Sequence, residues 1–300
     1  MCGIAGFINR FSDPRQSTVY LHSMLESLEH RGPDGLGVYQ DDRISFGMRR
    51  LSIIGGDQGK QPKSFAEGTS HLIFNGEIYN YLEILKGSNN SQHHTEISDT
   101  DALVSILKRH GRNGLPALNG MFAAALWSST TKKLLLFRDR LGKKPLYYFW
   151  DKKNFAFASE IKAFKTLPFF QSDINHDGLS HYLTFRYIPN KSSIYKNIHK
   201  VKPGHWLEFD TIKQTAREER WWTIPKPTTL SQATSRLIPQ SKKFEKLFEN
   251  SVELRLRADV NVGIFLSGGL DSSCVAAATK KIRGDESILT FSVGFEEEDK

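Results

Sequence analysis

The residue best placed to do chemistry stands second in the chain. Met1-Cys2-Gly3-Ile4-Ala5-Gly6-Phe7 puts a thiol one residue from the start, so removal of Met1 leaves Cys2 with a nucleophilic sulfur and a free α-amine on the same residue. An α-amine titrates near ~8 and a thiol near ~8.5 in the absence of perturbation. Attack by the sulfur, with the amine as base, therefore fits near-neutral pH without large shifts. The competing reading is a small, apolar first strand in which Cys2 is an ordinary buried residue.

A second chemical signal lies near the other end. Val262 to Leu266 is a continuous apolar run of buried-strand type, followed by Ser267-Gly268-Gly269-Leu270-Asp271-Ser272-Ser273 and the helix-like Cys274 to Thr279. A strand, a glycine-rich turn and a helix N-terminus present backbone N–H groups and a positive dipole end to an anion, which makes a phosphate cradle. No Gly-Lys-Ser/Thr follows the glycines, so it is not a Walker loop and γ-phosphate transfer of that kind is disfavoured. Asp271 is the acid that could help hold magnesium. The alternative is a tight turn with a helix cap.

The elements that must position these residues read as two domains. Ser17 to His30 has helical apolar spacing at Val19, Leu21, Met24, Leu25 and Leu28, and His30-Arg31-Gly32-Pro33-Asp34-Gly35 breaks it. Strand signals follow at residues 37–39, 44–46, 49–54 and 72–78, and Gly120 to Trp127 and Lys133 to Phe137 read as a hairpin pair around 128–131. Thr95 to Asp101 introduces a helix, with Ser98 as N-cap and Asp101 three positions on. The Arg138–Tyr148 stretch reads either as a solvated loop with internal ion pairs or as a catalytic element. Strands separated by turn chemistry predict a layered, largely antiparallel α+β domain.

Prolines at 189, 203, 225, 227 and 239 and the polar stretch Thr228 to Ser235 mark the end of that domain. We place the first domain at 1–215, a connector at 216–240 and a second domain from 241 to 300. The latter opens with a helix over 241–258, and a strand–helix–strand unit ending at Leu289 to Phe295 requires a parallel sheet. Two strands cannot cover both faces of such a sheet or protect its edges, so this domain is expected to be a truncated, N-terminal part of an α/β domain.

Composition sets limits. The 300 residues include 41 Lys and Arg against 33 Asp and Glu, a net charge of +8, but the basic residues are scattered and no nucleic-acid-binding signature appears. No apolar run of about eighteen residues predicts a membrane span, and no signal-peptide layout opens the chain. Two cysteines, Cys2 and Cys274, give no disulfide framework and point to the cytoplasm.

Several motifs occur together and in order: Met1-Cys2-Gly3-Ile4, His30 to Asp34, Arg50-Leu51-Ser52-Ile53, Phe74-Asn75-Gly76-Glu77-Ile78-Tyr79-Asn80, Ser98-Asp99-Thr100-Asp101, Arg138 to Gly142, Ala158 to Lys162 and Ser267 to Ser273. In these the chain resembles the glutamine-dependent asparagine synthetase family. That resemblance implies a class II glutamine amidotransferase domain, a layered antiparallel sandwich of the N-terminal nucleophile hydrolase type, joined to the start of a parallel-sheet ATP-pyrophosphatase domain. It implies that Cys2 attacks glutamine and releases ammonia through a thioester, with Asn75 and Gly76 as the oxyanion hole. Arg50 would pair with the substrate carboxylate, Glu77 and Asp99 with its α-ammonium, and Leu51, Ser52, Ile53 and Ile54 would line the pocket.

In the second domain it implies ATP on Ser267, Gly268, Gly269, Asp271 and Ser272, with backbone contacts from Phe265, Leu266 and Val293 and Mg2+ at Asp271. Aspartate would be adenylated, and ammonia arriving through an internal tunnel would displace AMP. The implied partners are thus the small molecules glutamine, aspartate and ATP, and a homodimer is compatible with the sequence. Met48, Gly55, Asp101 and Asn261 depart from the family pattern, away from the sulfur, the oxyanion hole and the loop acid, so altered packing is expected there. Two alternatives stay open: amidation of another carboxylate, such as a sugar acid in polysaccharide assembly, and a glutaminase-only or non-catalytic remnant.

Overall fold

The computed structural model describes residues 1–11, 13–87, 98–226 and 237–294, with only the backbone described at 237–240. The chain divides into two compact units, Met1–Thr223 and Ile224–Lys300.

Unit one is built on two six-stranded sheets. The first contains β1 (Gly3–Ile8), β2 (Gly35–Gln40), β3 (Ile44–Arg50), β8 (Tyr147–Trp150), β9 (Phe155–Ala158) and β10 (Ile198–Lys200), in the order β10-β8-β9-β1-β3-β2. The second contains β4 (Lys63–Phe65), β5 (Ser70–Ile78), β6 (Gly120–Ser128), β7 (Lys133–Arg138), β11 (His205–Asp210) and β12 (Thr215–Arg220), in the order β12-β11-β7-β6-β5-β4. Every pairing within these two sheets is antiparallel.

Strand side chains alternate between faces, and here the alternation sorts residues into layers. Ile4 and Ile8 of β1, Phe46 and Met48 of β3, Ile73 of β5 and Leu207 of β11 share one core between the sheets. Ala5 and Phe7 point the other way, into a cluster with Leu21, Met24 and Leu25 of α1 (Pro14–Glu26). Leu72, Phe74 and Ile78 likewise pack with Leu103, Ile106 and Leu107 of α3 (Asp99–His110), which follows α2 (Tyr81–Lys86). The result is a helix–sheet–sheet–helix sandwich. It explains why β1 is apolar at every position: helix covers one face and the second sheet the other.

Several local expectations shift. Helix α1 begins at Pro14 rather than Ser17, because Asp13 accepts from the Arg15 N–H at 2.9 Å and Pro14 sits where its missing N–H is harmless. Val19 consequently lies on the exposed side. Strand β3 ends at Arg50, and Leu51 to Ile54 turn away as a loop. The α3 cap is as expected, Ser98 and Asp101 forming both bonds of a capping box. Strand pairing runs past the expected boundary at 215, since β12 lies against β11 from Thr215 to Arg220. A further helix, α4 (His176–Phe185), exposes Tyr182, Leu183 and Phe185.

Unit two holds α5 (Leu237–Arg255), β13 (Gly263–Phe265), α6 (Leu270–Arg283) and β14 (Leu289–Phe291). Strands β13 and β14 pair in parallel through α6, as the strand–turn–helix–strand pattern requires. Residues 228–235 and the acidic end 295–300 lie outside the described residues. Among the described residues, no helix is long and apolar enough to cross a membrane.

Candidate active site

Strand parity gathers the site. Cys2 precedes β1 in step with Ile4 and Ile8; Arg50 ends β3 in step with Phe46 and Met48; Asn75 and Glu77 follow Ile73 along β5. All four are on the inter-sheet parity, at strand ends along one edge of the sandwich. The register sets Gly3 opposite Arg49, so Cys2 falls one step beyond the last pair, level with Arg50. A pocket forms there with an empty volume of about 440 Å³, lined by Met1, Cys2, Arg50, Leu51, Ile53, Ile54, Asn75, Gly76, Glu77 and Asp99, together with Gly59, Gln61, Phe74, Thr100 and Lys144.

The sulfur is held by the loop after β3. Leu51 N–H donates to Cys2 Sγ at 3.3 Å, and the thiol faces the Leu51 carbonyl at 3.6 Å. Arg31 Nε donates to the Cys2 carbonyl at 3.0 Å, while its Nη1 lies 2.7 Å from Glu160. Asp34 accepts from the Ser52 N–H at 2.8 Å and donates its own N–H to the Arg50 carbonyl at 3.0 Å. The turn at 30–34 thus fixes the loop that grips the sulfur. Ser52, engaged with Asp34, does not line the pocket.

Burial pushes the Cys2 thiol up, against the opposing pull of the Leu51 N–H, the chain's α-amine and Arg50. Burial and the cations Lys144 and Arg31 push the α-amine, here that of Met1, down. The shifts show a site that disfavours charge on either group; the amine proposed as base is that of Cys2, which becomes free when Met1 is removed.

Asn75 is fully buried, and both its Nδ2 and Oδ1 lack a hydrogen-bond partner. Buried polar atoms are nearly always satisfied, and each orphan costs about 1–3 kcal/mol. An amide left unpaired at a pocket wall is a donor awaiting an acceptor. Gly76 beside it has φ +154°, and a Cβ there would sit 2.0 Å from the Met121 carbonyl oxygen; only glycine fits.

Asp99 opens α3 and is buried, accepting from the Ile78 N–H at 3.1 Å. Desolvation, with a smaller push from Glu77, raises its carboxyl to about 7, against the Ile78 and Thr100 N–H groups and Arg50. A carboxyl raised on folding takes up a proton as the chain folds. The stability it contributes is therefore present at acid pH and is lost as pH rises through about 7. We expect Asp99→Asn, which can still accept from Ile78, to flatten this dependence and raise the melting temperature at pH 8 relative to the wild type; thermal melts at pH 5 and 8 check it. A pH dependence identical in the two proteins would contradict the assignment.

The tip of the Arg138–Tyr148 stretch is exposed at Leu141 and Lys143, but its charged flanks turn inward and form no ion pair with each other among the described residues. Asp139 is buried and accepts from the N–H groups of Phe122, Leu141, Lys143 and Lys144 at 3.0–3.2 Å. Arg138 donates to the carbonyls of Gly142, Lys144 and Val201. The two charged side chains satisfy the loop's backbone rather than each other. Their effect is to deliver Lys144 into the pocket, a residue the motif reading does not single out. The signal was present: Lys144 is in step with Leu146 and Tyr148, which face the inter-sheet core.

Three of the four residues expected to alter packing have a local role in the first unit. Met48 is buried between the sheets, Gly55 adopts φ +79° with Ser98 Cβ 2.5 Å from where its own Cβ would be, and Asp101 completes the α3 cap.

In unit two, Leu266 N–H donates to the Phe291 carbonyl at 2.8 Å, continuing the β13–β14 pairing into the loop. Ser267 and Ser272 join through their hydroxyls at 3.1 Å, Ser272 Oγ donates to the Gly269 carbonyl at 3.0 Å, and Gly268 takes φ +78° with nothing within 4 Å of a Cβ position. Phe265 and Val293 are exposed on either side. Open glycine backbone, serine hydroxyls and a helix start suit a polyphosphate. Among the described residues no three His, Cys, Asp or Glu side chains cluster to hold a metal, so Asp271 offers a single carboxylate.

Residues 1–222 match the glutamine amidotransferase domain family, and residues 243–300 match the asparagine synthase family. A putative glutamine-hydrolysing asparagine synthetase 2 of Methanocaldococcus jannaschii is 33% identical, across 99% of this chain and 60% of its own length. Glutamine-hydrolysing asparagine synthetase 1 of Bacillus subtilis is 34% identical across 99% of this chain and 46% of its own. Amidase chry2 of Gibberella zeae is 30% identical across 98% and 46%. The chain spans about half the length of the curated relatives it matches. Among solved structures, the allosteric regulatory enzyme of purine biosynthesis superposes with a TM-score of 0.56 at 18% identity, covering 97% of this chain and 65% of that one. The B. subtilis glutamine phosphoribosylpyrophosphate amidotransferase gives 0.52 at 18%, with the same coverage. These likenesses identify the layered sandwich as the N-terminal nucleophile hydrolase fold.

Proposed function

Because this chain belongs to the glutamine amidotransferase family and carries the start of an asparagine synthase domain behind it, we propose that Cys2 hydrolyses glutamine and supplies the ammonia for amidation of an ATP-activated aspartate. The observation that carries the reading is the pocket itself: a thiol, an unpartnered buried amide, a guanidinium and a buried carboxyl around one cavity. A buried strand cysteine requires none of these neighbours.

The reaction begins once Met1 is removed and the α-amine belongs to Cys2. Arg50 holds the substrate carboxylate, and ionised Asp99 with Glu77 holds its α-ammonium. The amine takes the thiol proton as sulfur bonds to the δ-carbon, the side-chain amide carbon, and the carbonyl electrons move to oxygen, where Asn75 Nδ2 and the Gly76 N–H donate to them. The C–N bond then breaks, the amine's proton goes to the leaving nitrogen, and ammonia departs from the thioester. Water, deprotonated by the same amine, attacks the thioester; the sulfur leaves, takes that proton back from the amine, and glutamate is released.

For the second half of the reaction, Ser267 to Ser272 would hold the ATP phosphates, with Asp271 adding one oxygen to a magnesium ion otherwise bound by phosphate. ATP supplies the activating adenylyl group. The chain's likeness to glutamine-hydrolysing asparagine synthetases supports aspartate as acceptor. The test is incubation of the chain with glutamine alone, then with Mg-ATP and aspartate. Glutamate and ammonia in equal amounts are expected from the first mixture, and AMP rather than ADP from any turnover in the second. A chain that lacks Met1 yet forms no glutamate would overturn the first step; ADP would overturn the adenylation.

A further inference from the structure

We propose that Lys144 is a positioning residue for Cys2, its buried ammonium favouring the Cys2 thiolate and the neutral form of the α-amine in the processed chain. The inference rests on the reading of Cys2 as nucleophile.

Lys144 is only 3% exposed, and a buried ammonium is costly unless an anion or strong acceptor satisfies it. Its backbone is fixed by Asp139, whose carboxylate is occupied by four N–H groups. Its Nζ has one hydrogen bond among the described residues, to the thioether of Met1 at 2.7 Å, and a thioether is a weak acceptor. Removal of Met1 takes that partner away. Desolvation pulls this ammonium's pKa down, while Glu77, Cys2 and Asp139 favour its charge; it is left lining the same cavity as Cys2, where the reaction develops negative charge on sulfur and then on oxygen.

The charged groups acting around this point come from every side. Arg31 and Asp34 belong to the turn after α1, Arg50 to the end of β3, Glu77 to the end of β5, Asp99 to the start of α3, and Asp139 to the same loop as Lys144. Asp99 opposes the thiolate and Arg50 supports it. Lys144 disfavours the charge on the Met1 α-amine and is itself favoured as a cation by Cys2; in the processed chain the α-amine belongs to Cys2, and the same ammonium would act on both members of the pair. A cation so placed lowers the pKa of each.

The test is the rate of Cys2 alkylation by iodoacetamide from about pH 5 to 10, followed by mass spectrometry, in Met1-free wild type, Lys144→Met and Lys144→Arg. We expect the alkylation midpoint of Lys144→Met to rise by about one pH unit, making the reaction at pH 7 about tenfold slower, and Lys144→Arg to stay near the wild type. The acid limb of kcat/KM for glutamine should move up with it. Lys144→Met should melt no lower than the wild type, because an apolar side chain replaces a desolvated charge; if it does not fold, Lys144→Gln carries the same comparison. An unchanged midpoint in the folded variant overturns the inference. A shifted midpoint in a chain that never hydrolyses glutamine supports Lys144 while overturning the proposed reaction.

Discussion

Cys2→Ala is expected to lower glutamine hydrolysis by at least about 10³-fold, because no second thiol lines the pocket to form the thioester. Cys274, the other thiol, belongs to α6 in unit two. Binding should survive the change. Arg50, Glu77 and Asp99 are untouched, and the sulfur contributes to the loop only the contacts with Leu51. Glutamine should therefore still raise the melting temperature of the variant, and the loss should fall on kcat. Calorimetric titration beside a glutamate assay separates the two; substantial hydrolysis by the alanine variant would remove Cys2 from the mechanism.

Asn75→Leu is the second large effect. Loss of one oxyanion donor costs about 10²–10³ in kcat, with KM little changed because the donor acts on charge that develops only in the transition state. Stability should move the other way. The variant replaces two buried, unpartnered polar atoms by apolar ones of similar shape, which is neutral or favourable to folding. A slower enzyme that melts higher marks a residue kept for chemistry at the expense of the fold. A variant that loses stability and keeps kcat would assign Asn75 to packing.

How much of this was legible in the sequence depends on the range of the interactions. Local chemistry was readable: the Ser98–Asp101 cap, the 120–137 hairpin and the strand–turn–helix of 263–283 follow from turn and capping residues close in the chain. Boundaries set by distant partners were not. Leu51 to Ile54 is apolar enough to continue β3, but the Leu51 backbone is committed to Cys2 and that of Ser52 to Asp34, forty-nine and eighteen residues away. Residues 216–220 read as connector by composition, yet β12 closes the edge of a sheet against β11. The motifs named most of the pocket, while the reason they converge is a parity shared by three strands that only the register reveals. For Lys144 the sequence carries only its step with Leu146 and Tyr148; that Arg138 and Asp139 bond to backbone rather than to each other leaves no mark, so the loop looks solvated.

The most direct measurement is labelling of the Met1-free chain by an electrophilic glutamine analogue, followed by peptide mapping, with and without excess glutamine. The account predicts one adduct per chain, on Cys2 at the new N-terminus, suppressed by glutamine. Labelling of Cys274 instead, or labelling of Cys2 that glutamine does not protect, would contradict it.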